Sequence, residues 1–332
     1  MSGFERRGRW TATTMLYGVV GASFLSTCAW AGPNDFQWLS PVPVSSYAPA
    51  VDGVNARTEP FGGRIANRSI VGNQGAVTFP ISGSLGAQID AAFGSLDRRG
   101  FGNLAGHFFW RNPNQALFGF YASHTRWDQF GGAHVNQAAA EGEFYSGRFT
   151  VQGIAGIEWG NRASSASTLT SITPPGPPNF PFGYPAGIAT TSSYLSAFDV
   201  KTRFFDQINF KYYFTDNALG YVGHRYLGGK HALALGGEYA FPIDRVMISA
   251  FVEARVGESN FNGVWGGLKF YFNGKNKPLL ARHRQDDPNI WSADTLFSIT
   301  NSATSSSSSS STTFCNPGDF LISPGTCESG SF

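Results

Sequence analysis

The sequence predicts an all-β protein, an antiparallel transmembrane β-barrel of about twelve strands. Three observations predict it. Only 14% of the 332 residues are charged, while 15% are aromatic and 41 are glycine, a surface-poor composition for a protein that must dissolve in water, where roughly 25% charge is usual. Several separated runs alternate apolar and polar residues with a period of two. Short turn sequences separate those runs, and longer connections lie between the turns.

The formal net charge is +2 and no Lys/Arg block occurs beyond the first ten residues, so the electrostatic footprint of a nucleic-acid partner is absent. At the amino terminus Arg6, Arg7 and Arg9 precede the apolar run Met15–Leu25, and Ala29-Trp30-Ala31 follows with the small-x-small pattern of a cleavage site. Residues 1–31 therefore read as a secretory signal peptide, its core too short for a permanent anchor, which needs roughly 20 apolar residues. Lipidation at Cys28 is the competing reading, disfavoured by Thr27 immediately before it, and nothing around Arg6-Arg7 supports export as a folded protein. After residue 31 no run of eighteen apolar residues occurs. A membrane can then be crossed only by a closed barrel, which satisfies every backbone group internally. Residues 32–50, rich in Pro and Ser, read as a flexible periplasmic lead-in.

The barrel is read over residues 51–272. In Gly83–Gly94, Leu85, Ala87, Ile89, Ala91 and Phe93 alternate with Ser84, Gly86, Gln88, Asp90 and Ala92. Thr150–Trp159 repeats the pattern with Ile154 as its misfit, and Ile208, Phe210, Tyr212 and Phe214 carry it through the next run. Leu233, Leu235, Gly237, Tyr239 and Phe241 continue it, as do Ile248, Ala250, Val252 and Ala254. For Leu117–Arg126 the inward face is undecided, because Phe118 and Phe120 compete with Leu117, Gly119 and Tyr121. Phe93, Trp110, Tyr145, Trp159, Phe214, Phe241 and Phe272 sit near strand ends, where amphipathic rings meet lipid headgroups.

Short connections are read at residues 112–115, 146–148, 215–217 and 242–244, and longer ones at 128–133, 161–193 and 257–263. Residues 83–272 hold about ten strands, and Asp52–Gly62 with Gly75–Ile81 raise the number to twelve, ten being the alternative. An even number places both ends of the barrel in the periplasm.

The run Gly267–Phe272, with aromatic residues at alternate positions and a final Phe, resembles the closing-strand signal read by the outer-membrane barrel-assembly machinery. More broadly, residues 52–287 resemble a family of alphaproteobacterial, porin-like outer-membrane β-barrel proteins for which no substrate is established. The phrases that carry the resemblance are Gln88-Ile89-Asp90, residues 106–113 (GHFFWRNP), residues 223–229 (GHRYLGG) and residues 281–287 (ARHRQDD). It implies an outer-membrane location and a porin-like barrel. One departure is that sixty residues follow Phe272, whereas an assembly signal usually ends the chain.

Those residues, 273–332, are read as a Ser-rich, largely disordered periplasmic tail, because the serine run Ser305–Ser311 has too little apolar content to offset the entropy of ordering. Cys315 and Cys327 are the two cysteines left after cleavage, and a local disulfide suits an oxidising compartment.

Parity assigns the candidate pore-lining residues: Asp90, Glu141, Glu143, Glu158, Glu238 and Glu253 as acids, Arg111, Lys211, Arg225, Arg255 and Lys269 as bases, and His107 among them. Two readings remain open. The charges pair across neighbouring strands and fill a plugged structural or surface-interaction barrel, or they line a water-filled passage for small solutes or ions. The resemblance favours the passage, a passive diffusion channel. An outer-membrane lipid hydrolase, using Ser123-His124 or His107 with a carboxylate such as Asp90, is the least favoured reading: adjacent Ser123 and His124 point to opposite faces of a strand, and no zinc spacing, Walker loop, HExxH or GxSxG motif occurs. No enzyme activity, cofactor or metal is expected. The expected partners are outer-membrane lipids, lipopolysaccharide and the barrel-assembly machinery.

Overall fold

The computed structural model describes residues 48–176, 184–243, 246–273, 277–317, 319–323 and 326–329. The signal-peptide reading and nearly all of the lead-in lie outside the described residues. Among the described residues, eighteen strands and two helices occur in the order β1 (Asn55–Ile65), β2 (Arg68–Pro80), β3 (Leu85–Leu96), β4 (Arg99–Asn112), β5 (Ala116–Trp127), β6 (Ala133–Ser146), β7 (Phe149–Gly160), β8 (Arg162–Thr173), β9 (Tyr184–Pro185), β10 (Gly187–Asp199), β11 (Arg203–Thr215), β12 (Ala218–Leu227), β13 (Lys230–Ile243), β14 (Val246–Gly257), β15 (Gly263–Phe272), α1 (Leu279–Gln285), α2 (Ser292–Asn301), β16 (Ala303–Phe314), β17 (Asp319–Ser323) and β18 (Thr326–Ser329).

Twelve of these strands, β1–β7 and β11–β15, close into one antiparallel barrel, each paired with its neighbours and β15 with β1. The seam runs from Ala56 opposite Phe272 to Ile65 opposite Gly263, so the Gly267–Phe272 run is the closing strand. Gly267 has a local reason to lack a side chain: a Cβ there would lie 2.0 Å from the Pro60 carbonyl oxygen.

The outer face is apolar. Ile89, Phe93, Leu104, Phe120, Ile157, Phe210, Phe214, Leu233, Val252 and Phe272 are exposed, while alternate residues on the same strands are buried inside. That arrangement suits a transmembrane barrel whose outward side chains meet acyl chains. It also settles β5: Phe118 and Phe120 point outward, whereas Leu117 and Tyr121 are buried within. Ile154, the misfit, joins the interior core. Tyr145 departs from the expected aromatic girdle, because its ring is buried in the lumen and its hydroxyl donates to Glu143 at 2.7 Å.

One barrel end holds both ends of the wall, before β1 and after β15, and is called the terminal end; the other is the loop end. The alternation of long and short connections is only partly present. Loop-end connections at 128–132, 161–202 and 258–262 are long, but Ala66-Asn67, Asp97-Arg98 and Gly228-Gly229 are two-residue turns. All six of those turn residues have positive φ, from 47° to 76°, the left-handed pair that matches the twist of a hairpin. The correction has a local cause: each turn holds at least one residue, Asn67, Asp97 or the Gly228-Gly229 pair, that tolerates that region, so no longer loop is needed.

Between β7 and β11 the chain makes an excursion. β8 and β10 form a hairpin that takes β16 as its third strand, in the order β16-β10-β8, while β9, β17 and β18 make a second small sheet. A disulfide joins Cys315 to Cys327.

The tail differs from the sequence expectation. Residues 279–285 and 292–301 are helical and mostly buried, and the serine run lies in β16, whose residues are all exposed. The physical reason is local composition: Ile290, Trp291, Leu296, Phe297 and Ile299 supply apolar area upstream of the serines. Residue 272 ends the barrel wall without ending the folded interior.

Candidate functional site

The site is the barrel lumen, and the carboxy-terminal segment runs through it. At the terminal end, the Leu280 amide donates to the Asp216 carbonyl at 2.9 Å, Arg282 to the Phe272 carbonyl at 2.9 Å, and Arg284 to the Phe149 carbonyl at 2.9 Å. Leu279 and Leu280 pack with Tyr213, Leu219, Met247 and Tyr271. α1 thus covers that mouth by binding the strand ends around it.

Above α1 lies a polar cavity of about 50 Å³, lined by Glu59, Glu143, Lys211, Glu238, Glu253, Lys269, His283 and Asn289 among others. Glu238 accepts from Ser249 and Tyr271 at 2.6 Å each and pairs with Lys269 at 2.9 Å. His283 stands between two phenols, its Nδ1 3.0 Å from the Tyr213 oxygen and its Nε2 3.1 Å from the Tyr271 oxygen. Because Tyr271 gives its proton to Glu238, His283 Nε2–H donates to the Tyr271 oxygen. Lys211 donates to Asn289 at 3.4 Å. Arg57 pairs with Glu59 at 3.0 Å and donates to the Pro288 carbonyl at 2.6 Å.

Midway, His107 is held between two carboxylates, Nε2 to Asp90 at 2.9 Å and Nδ1 to Glu141 at 2.9 Å, with all three side chains sealed from solvent. Both ring nitrogens are engaged by carboxylates, which leaves none to activate a nucleophile. Ser123 is buried while His124 faces outward and contacts Asn136 at 2.8 Å. The opposite-face expectation holds.

The centre of the lumen is an ionic clamp on α2. Asp294 accepts a bidentate pair from Arg255, Nε at 2.7 Å and Nη2 at 2.8 Å, and a third bond from Arg225 Nε at 2.9 Å. Two guanidiniums therefore surround this one buried carboxylate. The Arg255 fork also reaches Glu253 at 2.8 Å. On other faces of α2, Ser292 donates to Asn103 at 2.6 Å, and the Thr295 and Thr125 hydroxyls meet at 2.8 Å.

Towards the loop end the lining turns apolar. Trp291, Leu296, Phe297 and Ile299 of the helix segment share one core with Phe61, Ile65, Leu96, Trp127, Val135, Phe205 and Trp265 of the wall and Phe261 of the 258–262 loop. Glu158 accepts from the Gly228 amide at 2.9 Å, and Asn301 donates to the Leu227 carbonyl at 3.0 Å. Gly228 has φ +62° and comes so close to the helix that a Cβ would lie 2.5 Å from that of Asn301. The Asp199 amide then donates to the Ser302 carbonyl at 3.2 Å. From Leu280 to Ser302 the chain has passed from one mouth to the other.

All twelve residues assigned by parity lie on the lumen side. Asp90, His107 and Glu141 form one group; Glu238 and Lys269 pair; Arg225, Glu253 and Arg255 gather around Asp294. Glu143 accepts from Gln152 at 2.9 Å, and Lys211 faces the cavity. Glu158 stands apart at the loop end. Arg111 is buried over the Phe109 ring at 4.9 Å, and its three guanidinium nitrogens have no hydrogen-bond partner among the described residues. Parity could not reveal what these residues face, since Asp294, His283, Trp291 and Phe297 lie outside the alternating runs. The signal was the apolar cluster at residues 290–299 beside the charged phrase at 281–287.

No family model matches the sequence, and no curated protein matches it. Among solved structures the chain is similar to an outer membrane channel from Pseudomonas putida F1, at 10% identity and a TM-score of 0.39 over 69% of this chain and 98% of that one. It is also similar to the Pseudomonas putida toluene transporter TodX, at 10% identity and a TM-score of 0.34, covering 69% and 91%. A Pseudomonas aeruginosa FadL homologue follows at 7% identity and a TM-score of 0.27, covering 66% and 89%. Likenesses of this size carry nothing about activity, so function rests on the lumen itself.

Proposed function

We propose that this chain is an outer-membrane β-barrel occluded by its own carboxy-terminal segment, which it carries through the wall and displays at the loop end. The observation that supports it most is α2: the helix is buried along its length, clamped by Arg225 and Arg255 at Asp294 and packed into an apolar core on its loop side. A passive channel needs a continuous water path, and this core interrupts one. In this reading a cleaved signal peptide delivers the chain, the assembly machinery inserts it, and outer-membrane lipids with lipopolysaccharide surround its apolar face. The described lumen offers no activated nucleophile, so no bond is made or broken there.

A second reading keeps the twelve charged residues as the lining of a diffusion path for small solutes or ions. The polar cavity supports it, since about 50 Å³ holds on the order of three waters, but α2 would have to leave for solutes to pass.

Planar-bilayer conductance separates the two. The refolded full chain is expected to be silent and a variant lacking residues 274–332 to give discrete ohmic steps, with heat-modifiable gel migration confirming that both barrels are closed. Discrete steps from the full chain would sink the occluded reading in favour of the channel. Silence from the closed truncated barrel would remove the segment as the cause of occlusion.

A further inference from the structure

The loop-end rim is electrostatically lopsided. From β1 to β5 it carries Arg64, Arg68, Arg98, Arg99 and Arg126 against Asp97 and Asp128, five minus two, or +3. From β7 to β14 Arg162, Lys201, Arg203 and Lys230 stand against Glu158, Asp199, Asp206 and Glu258, four minus four, or zero. At the terminal end the turn residue Arg148 is neutralised by Asp216 at 3.0 Å. A single arc of the rim therefore holds the excess charge.

That arc is rigidly built. The Ala66-Asn67 and Asp97-Arg98 turns both hold left-handed φ values, 47° and 62° in one and 53° and 63° in the other. Their hairpins are neighbours, with Ile70 opposite Leu96. Arg68 pairs with Asp97 at 2.8 Å and lies over the Trp127 ring at 5.2 Å, which ties one hairpin to the other and to β5. Arg126 pairs with Asp128 at 3.0 Å. Arg64 donates to the Asn67 carbonyl at 3.0 Å and meets no acid among the described residues. Arg98 and Arg99 are exposed and form no ion pair with any described residue. Three of the five guanidiniums thus remain without a counter-charge.

Their height on the wall identifies the counter-charge. Val71, Phe93 and Leu104, which face outward on the same strands, are exposed and apolar, so the arginines stand where an acyl layer gives way to headgroups. A planar guanidinium fork matches a phosphate oxygen pair, and several on one surface match a headgroup with more than one phosphate. We infer that this arc of the rim is a docking surface for a phosphorylated glycolipid of the surrounding leaflet, with Arg64 and Arg98 taking its phosphates, Arg99 adding positive charge beside them and Arg68 bracing the two hairpins. The inference rests on the proposed placement of the barrel in an outer membrane. It is independent of whether the lumen conducts.

The test uses the full chain in detergent, titrated with phosphorylated lipid A, with its dephosphorylated form and with inorganic phosphate, and read by native mass spectrometry. The unaltered protein is expected to prefer the phosphorylated lipid by on the order of tenfold, and Arg98→Gln/Arg99→Gln to lose that preference while keeping heat-modifiable migration. Raised salt is expected to weaken the preference, because exposed charges are screened. Equal binding of the two lipids, or a double variant that keeps the preference, overturns the docking surface. Competition by millimolar inorganic phosphate would assign the arginines to a free anion and overturn the lipid. Recovery of the chain from cells outside the envelope fraction would instead sink the membrane placement, a failure readable apart from the other three.

Discussion

The two halves of the lumen solve the same filling problem differently. On the loop side aromatic and aliphatic side chains from wall and helix close into a core that also holds Phe198 and Val200 from the 161–202 excursion. On the terminal side charged and hydroxyl groups surround a small polar cavity, with α1 as its floor. The difference teaches where occlusion resides. A polar interior admits water and exchanges partners at modest cost, whereas an apolar core excludes water and resists being parted. The seal belongs to the loop half.

The comparison breaks most sharply at Asp294. Asp294→Ala strands Arg225 and Arg255 in a buried site, and the expected loss is about 3–5 kcal/mol, read as a lower midpoint of thermal unfolding in detergent. Replacing all three by apolar residues of similar volume is expected to restore most of that loss, since the penalty is the unpaired charge. Phe297→Ala removes a buried ring from the loop-side core, with an expected cost of about 3–5 kcal/mol and a measurable opening of the full chain in bilayers. A midpoint unchanged by Phe297→Ala would deny the core its role as the seal.

Charge on the outside probes the wall alone. Phe120→Arg places a cation among acyl chains, and the expected cost of about 2–4 kcal/mol appears as reduced unfolding stability in lipid vesicles, with α2 still in place. At the small end, Ser308→Ala on the exposed face of β16 should leave the unfolding midpoint unchanged.

How much of this was legible in the sequence follows from which part of the chain had a period. Alternation gave the wall, its twelve strands and the side of each charged residue, because a one-residue error would have exchanged Asp90 for Ile89 at the lipid face. The faces of β5 were ambiguous, since Leu117 and Tyr121 are as apolar as Phe118 and Phe120, and only the contents of the lumen distinguish them. The short loop-end turns were hidden inside longer apparent runs. The lumen's occupant was overlooked because a conspicuous serine tract drew the whole tail towards disorder, although Trp291 and Phe297 lie only a few residues upstream. Residues facing a helix from another part of the chain carry no sign of it in their own spacing.

The disulfide beyond the loop end has a topological consequence. A segment that enters one mouth and leaves by the other ends in a ring closed by Cys315 and Cys327, whose strand β18 also pairs with β9. It is a thread through a washer, knotted on the far side. Either the staves of the barrel are gathered around the thread, or the thread is drawn through before its knot is tied. Only the second route requires oxidation to wait, and there a bond formed too early would leave an empty washer and a loose bead.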